Sequence, residues 1–249
     1  MVKKEKILIN ESKGAPCFVF SYNSLASTNE TARKKIHKYK QFAILARQQT
    51  KGRGRYNRTF LSLKDKGIYL TIGVEANKDL NIVSQYSVYI ALAAKRVLEA
   101  DGSKQIQIKW PNDLLINDKK CAGILSESVM CGDNRFAIVG IGINLFYSKE
   151  DFGELSEIAT SVFSAEEIKT RETISTISKQ IIKEFFKVCK EHTSDLYKEY
   201  CEACNIVGRT IEHSGETGEV ISIEPDMSIR VNFSGEIRHI NYGEIILQK

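Results

Sequence analysis

One segment limits the fold more than any other. "RFAIVGIGINLF", residues 135–146, is the most strongly apolar strand candidate in the chain, and Gly140 and Gly142 lie inside it. A strand this apolar is a buried one. Glycines within it mark the close approach of either a ligand or another backbone, and both readings stand at this point. "CFVFSYNSL", "QFAILAR" and the alternating "GIYLTIGVE" read as further strands. "SQYSVYIALAAKRVLEA" reads as a helix, with Val88, Leu92 and Val97 able to face a core. In "STNETARKKIHKY", Ser27 with Glu30 fits a capping box, and Ala32, Ile36 and Tyr39 recur at helical spacing. "QIQIKWPNDLLIN" is a strand interrupted by Pro111, and Asn117–Asp118 can turn it back into "KKCAGILSESV" as a hairpin.

From Thr170 the pattern changes. Ile174, Ile177, Ile181, Phe185 and Val188 keep a helical rhythm. Beyond Gly208 come short strands with glycine turns, the pattern of a small β-barrel of about 40 residues. No repeat or low-complexity linker separates the parts, so the small unit is expected to pack closely on the large one.

The formal charge of +5, from 36 basic and 31 acidic side chains, neither demands nor excludes an anionic partner. The basic start lacks the apolar run of a signal peptide. No later stretch reaches the roughly 18 apolar residues of a membrane span, so the expectation is a cytoplasmic protein with no membrane partner. Of six cysteines only Cys201 and Cys204, in "CEAC", stand at a spacing that chemistry uses. No second Cys or His pair accompanies them, so they read as ordinary cysteines near a helix end. The four histidines stand apart and suggest neither a metal site nor His-centred catalysis.

"RQQTKGRGRYNR", residues 47–58, fits neither the P-loop template nor the dinucleotide fingerprint, since Asn57 stands where a third glycine would be needed. It still carries the ingredients of an anion site. Gly52 and Gly54 allow close backbone approach, and Arg53 and Arg55 offer forked charge. Phosphate binding, nucleic acid backbone binding and a solvated loop all remain open on these residues alone. "KWPND", residues 109–113, places Lys109, Asn112 and Asp113 at a strand end, either as part of a site or as a surface turn.

Taken together and in this order, "STN" at 27–29, "QTKGRGR" at 49–55, "KWPND" with "KKCAGIL", and "GIGINL" at 140–145 resemble the biotin protein ligases. "ATSV" at 159–162 and the β-rich tail with "GEI" extend the likeness to most of the chain. The resemblance implies an α+β fold. A mixed β-sheet with flanking helices, the biotin/lipoate ligase-like catalytic domain, would occupy residues 1–206. A small SH3-like β-barrel would occupy 207–249. It also implies an ATP-dependent ligase that forms biotinyl-5′-AMP, releases pyrophosphate, and passes biotin to a lysine of a biotin carboxyl carrier protein.

The same resemblance assigns roles. Ser27, Thr28, Asn29 and Gln49 would meet the head of biotin, whose neutral urea needs paired donors and acceptors. Gly52, Arg53, Gly54 and Arg55 would close over biotin and the adenylate, so the basic loop would clamp a phosphate. Lys109 would be the essential lysine, set against both the reacting carboxylate and the α-phosphate. Asn112 and Asn144 would contact the nucleotide, and Phe60, where most relatives carry tryptophan, would stack on adenine. Leu63 replaces the usual proline. Asp113 is the candidate proton acceptor for transfer, giving Lys109, Arg55 and Asp113 as the catalytic set. ATP, Mg2+ and biotin are the implied cofactors and substrate, and no residue is singled out as a metal ligand. The 26 residues before Ser27 suggest a ligase without a helix-turn-helix repressor domain, hence no DNA partner. Family members differ in whether they form a homodimer.

Two rivals carry distinguishing features. A lipoate-type ligase would show an arginine-rich segment followed by a triple-glycine run. A nucleic-acid-binding module would interleave basic and exposed aromatic residues along one element. Neither pattern occurs here.

Overall fold

A computed structural model describes residues 2–7, 16–76, 82–100, 102, 104–164, 171–241 and 245–247. Thr170, and Gly243 and Glu244 of the tail motif, lie outside these residues. The main sheet contains β1 (Val2–Ile7), β2 (Cys17–Tyr22), β3 (Gln41–Ala46), β4 (Gly67–Ala76), β5 (Gln107–Lys109), β6 (Asp113–Ile116), β7 (Lys119–Cys131) and β8 (Asn134–Asn144). Their spatial order is β1-β2-β3-β4-β8-β7-β6-β5. Only β2 and β3 run parallel; every other neighbouring pair is antiparallel. The apolar strand of the sequence is thus β8, between β4 and β7. It pairs with β4 from Gly67↔Asn144 to Ala76↔Arg135.

Both faces of this sheet centre are covered, and so β4 is buried without a break from Gly67 to Gly73. Successive strand residues point to opposite faces. Ile68, Leu70 and Ile72 of β4, with Val139, Ile141 and Ile143 of β8, belong to the main core. That core includes Val88 and Leu92 of α2 (Ile82–Leu98) and Ile181, Phe185 and Val188 of α4 (Arg171–Val188), with Val97, Ile174 and Ile177 at its margin. On the other face Phe20, Phe42, Ile44, Phe136 and Ile138 meet Ala32 of the short helix α1 (Thr28–Arg33) and Ile36 beyond it. Between β8 and α4 lies the one-turn helix α3 (Lys149–Phe152).

The expected hairpin forms, with Asn117 (φ 49°) and Asp118 (φ 61°) in the left-handed region that a tight two-residue turn requires. The helix after Ser27 departs from expectation. Its regular part stops at Arg33, and no capping box forms. Ser27 takes the N-cap backbone position without a side-chain capping bond, while Glu30 pairs with Arg53 instead. Tyr39 leaves the helical path and packs its ring on Phe18 and Phe20, with centroids 5.1 and 5.2 Å away.

After α5 (Thr193–Cys204), β9 (Thr210–His213), β10 (Glu216–Ile223), β11 (Ile229–Phe233), β12 (Glu236–Ile240) and β13 (Ile246–Leu247) form a five-stranded antiparallel sheet, the small β-unit expected after Gly208. Its interior side chains Ile211, Val220, Ile229 and Val231 join the main core cluster. Trp110 Nε1 donates to Met227 O at 2.8 Å, and Tyr197 OH donates to Ile223 O at 2.5 Å. Among the described residues no helix is long and apolar enough to cross a membrane.

Arg96 ties the helical layer together. From α2 it bonds Glu184 of α4 (3.0 Å), Glu191 (2.7 and 2.8 Å) and Glu199 of α5. Its hydrogen bonds hold the Glu191 carboxyl below the usual carboxylate range. A lowered native pKa stabilises the fold above the unfolded value of 4.5, and that contribution disappears as pH falls through the native value. Arg96→Met should therefore cost about 1–3 kcal/mol at neutral pH by chemical denaturation. The difference from wild type should shrink as pH falls below 4.5; a constant difference down to the acid limit would contradict this account.

Candidate active site

On the face of β8 that carries Phe136 and Ile138, the next two outward positions have no side chain. They are Gly140 and Gly142, followed by Asn144. These glycines make room for side chains rather than for another backbone. A Cβ at Gly140 would lie 2.3 Å from Asn29 Oδ1, and one at Gly142 would lie 2.4 Å from the Phe60 ring. Gly123, opposite Gly142 on β7, would bring a Cβ within 3.3 Å of the same ring. Over this bare stretch lies a cleft of about 300 Å³.

One end is polar and neutral. Gln49 Oε1 accepts from Thr28 N (2.8 Å) and Thr28 Oγ1 (3.0 Å), and Gln49 Nε2 donates to Ser62 Oγ at 3.0 Å. That leaves one Nε2 hydrogen and the lone pairs of Thr28 Oγ1 for another molecule. Ser27 is only 3% exposed, lines the cleft, and has no side-chain partner among the described residues. Asn29 is committed elsewhere. Its Nδ2 donates to Leu125 O (3.1 Å) and Glu127 Oε2 (3.0 Å), and its Oδ1 accepts from Thr71 Oγ1 (2.6 Å).

The basic loop crosses the mouth as a doubled-back strand. Phe60 N bonds Gly52 O, Gly54 N bonds Arg58 O, and Arg53 pairs with Thr59. Gly52 has a structural role: it is buried, it does not line the cleft, and a Cβ there would sit 2.4 Å from Phe60 O. Gly54 does line it. The two arginines reach in different directions. Arg53 pairs with Glu30 at 3.1 Å, and Arg55 Nη1 donates to Asn112 Oδ1 at 3.1 Å. Asn112 is itself fixed to β7 through Ile124 O.

Lys109 ends β5 inside the cleft, and its ammonium has no partner among the described residues. Lys120, one residue into β7, lies in the same cleft with Nζ 2.6 Å from Asp113 Oδ1. The contact is close but poorly aligned for a hydrogen bond, so it is an ion pair held by charge. At the far end Asn144 Nδ2 reaches Lys120 O (3.5 Å) and Thr160 O (3.3 Å), pinning the 158–162 segment. Phe152, Leu155, Ile158 and Ile245 supply an apolar rim.

The cleft therefore gathers Ser27, Thr28, Asn29, Gln49, Arg53, Gly54, Arg55, Phe60, Lys109, Asn112, Asp113 and Asn144, and leaves out Gly52 among the expected residues. Lys120 stands in "KKCAGIL", just after the Asn117–Asp118 turn, where the sequence alone allows a plain hairpin cation; the structure puts it in the cleft. Sequence reasoning missed the apolar rim, which has no local signature. Leu63 has a physical account: its N–H donates to Tyr147 OH at 2.9 Å, a bond that proline could not make. Tyr147 also donates to Leu61 O and meets Tyr69 OH at 2.6 Å. Burial raises both tyrosines, keeping these hydroxyls protonated. Cys201 and Cys204 end α5 as free thiols, and burial pushes Cys204 up to about 12. No His/Cys/Asp/Glu group able to hold a metal occurs among the described residues.

Gly142→Ala tests the floor. It should destabilise the protein by about 1–3 kcal/mol because the Phe60 ring has to move. In a Phe60→Ala background the same change should be nearly neutral in urea melts; equal costs in both backgrounds would contradict the packing argument.

Residues 21–144 match the model of the "Biotin/lipoate A/B protein ligase family". A bifunctional ligase/repressor BirA of Bacillus subtilis is 36% identical over 148 residues, 58% of this chain and 46% of that protein. A biotin–[acetyl-CoA-carboxylase] ligase of Paracoccus denitrificans is 38% identical over 113 residues, 41% of this chain and 43% of its own. The matches thus span less than half the length of these curated relatives. The structure of a biotin protein ligase from Aquifex aeolicus in complex with biotin and ATP superposes with a TM-score of 0.73 at 25% identity, over 93% of this chain and 98% of that one. Through residues 21–144, which carry the polar end, the basic loop and both cleft lysines, the chain belongs to the biotin/lipoate A/B protein ligase family.

Proposed function

We propose that this cleft activates biotin with ATP and transfers the biotinyl group to a lysine of a carboxyl carrier protein. The observation that carries the reading is one continuous cleft joining a neutral hydrogen-bonding end to Lys109, Lys120 and the arginine loop. The relatives' names, for biotin and for acetyl-CoA carboxylase, support the substrate and the acceptor class.

In the first step the biotin carboxylate attacks the α-phosphorus of ATP, the mixed anhydride forms, and pyrophosphate leaves. Two anions must meet, so fixed cations lower the barrier. Lys109 and Lys120 take the carboxylate and α-phosphate between them. Arg55 exchanges its neutral Asn112 partner for phosphate oxygens, and Arg53 exchanges Glu30. Asp113 is the one carboxylate among the described cleft-lining residues, and it is already paired. A magnesium ion therefore fits as a partner of the nucleotide phosphates and water rather than of a protein cage. When bound, it supplies further charge neutralisation.

The urea of biotin matches the Ser27 hydroxyl, the Thr28 lone pairs and the remaining Gln49 hydrogen. A dithiolane would leave them unpaired, which disfavours lipoate. Asn144 spends both amide hydrogens on carbonyls, so its Oδ1 is left to accept from the exocyclic amine of adenine. Phe60, seated on the glycine floor, offers its ring to the adenylate.

In the second step the acceptor lysine attacks the anhydride carbonyl and AMP leaves. A free lysine is neutral in only about one molecule in 2,500 at pH 7, so a proton acceptor is needed. Asp113 takes that role. With biotin, lipoate, ATP and GTP supplied in turn, mass spectrometry should find biotinyl-AMP and neither a lipoyl nor a guanylyl product. A lipoyl adenylate formed equally well would transfer the reading to the lipoate class. Asp113→Asn should slow transfer from preformed adenylate at least tenfold; a wild-type rate would remove Asp113 from the second step.

A further inference from the structure

We infer that Thr71 and Glu127 are positioning residues of the acid-binding end, acting through Asn29. The inference rests on the proposed reading of the cleft, and it separates three adjacent residues that the motif treats alike. Ser27 and Thr28 keep hydrogen-bonding capacity toward the cleft, whereas both amide hydrogens of Asn29 are consumed by protein acceptors. Asn29 is 6% exposed and wedged over Gly140, where any side chain would collide with its Oδ1.

Two strands hold it there. Thr71 of β4 donates to its Oδ1 at 2.6 Å, while β7 accepts its two hydrogens through Leu125 O and Glu127 Oε2. The second oxygen of Glu127 takes Arg33 Nη2 at 2.6 Å, so one carboxylate grips both ends of α1. This matters because α1 is a helix of only six residues and lacks a side-chain N-cap. A helix so short has little stability of its own. The Asn29 side chain replaces the missing cap as the anchor of the helix start. It thereby sets where Ser27 and the Thr28 N–H and hydroxyl stand relative to Gln49.

Thr71→Val and Glu127→Met remove the two contacts with little change of shape. Each variant should raise KM and the calorimetric Kd for biotin about tenfold, a loss on the scale of one hydrogen bond to a fixed polar group. KM for ATP and kcat at saturating biotin should stay within about twofold. In an Asn29→Ala background, Thr71→Val should add nothing further, since the two act as one unit. Biotin KM unchanged in both variants, or KM for biotin and ATP rising together, would overturn the assignment. Additive effects of Thr71→Val and Asn29→Ala would overturn it too. If wild-type protein forms no adenylate with biotin, the reading of the cleft fails. If wild type turns over and the variants match it, only this assignment fails.

Discussion

Because β8 runs through the middle of the main sheet, the side chains it lacks decide what can rest on the face opposite α2 and α4. Its inward residues Val139, Ile141 and Ile143 hold the core against α2 and α4, so the strand cannot move to make space. The space comes instead from Gly140 and Gly142. Asn29 fills the first position, and Phe60, over Gly123 and Gly142, fills the second. Each brings the segment that bears it down onto the sheet. Asn29 carries the start of α1 with Ser27 and Thr28, and Phe60 carries the return of the basic loop with Ser62 and Gln49. Polar end, loop and cations thus share one rigid floor.

The basic loop above that floor is held by replaceable bonds. Arg53–Glu30 is a half-exposed ion pair, a kind worth about 0–1 kcal/mol. Arg55 binds a neutral amide. A phosphate offers either guanidinium a stronger, charge-assisted partner. Lys109, without a partner among the described residues, is ready for an anion, whereas Lys120 must share its charge with Asp113. Protein hydrogen bonds hold the neutral end in place, whereas the basic end is held by contacts that an anion can replace.

Much of this was legible in the sequence. Most strand positions, the Asn117–Asp118 hairpin and the glycine-turned tail followed from local pattern, whereas β1 lies in the charged start, which has no apolar run to announce a strand. The grouping of the four motifs followed from the family resemblance. What failed was long-range. The Ser27–Glu30 spacing matches a capping box, yet Glu30 is drawn to Arg53, 23 positions along the chain. Gly52 looked like a ligand-facing glycine, but the returning strand needs its space. Gly140 and Gly142 were expected to mark the approach of a ligand or a backbone; they line the cleft, and the side chains that use their space come from residues 29 and 60. Asn29 lines the cleft as expected, and only the structure reveals Thr71, Leu125 and Glu127 as the partners that hold it. Leu63 could not be explained until Tyr147 appeared beside its N–H.

The most direct measurement is a crystal structure of the protein with biotin and a non-hydrolysable ATP analogue. The account predicts the biotin head against Ser27, Thr28 and Gln49, with its carboxylate between Lys109 and Lys120. Arg55 should have left Asn112 for the phosphates, while Asn29 stays bonded to Thr71 and Glu127. A head group bound away from Thr28 and Gln49, or an Asn29 side chain turned from the sheet to meet it, would contradict the central claim that the glycine floor positions the acid site.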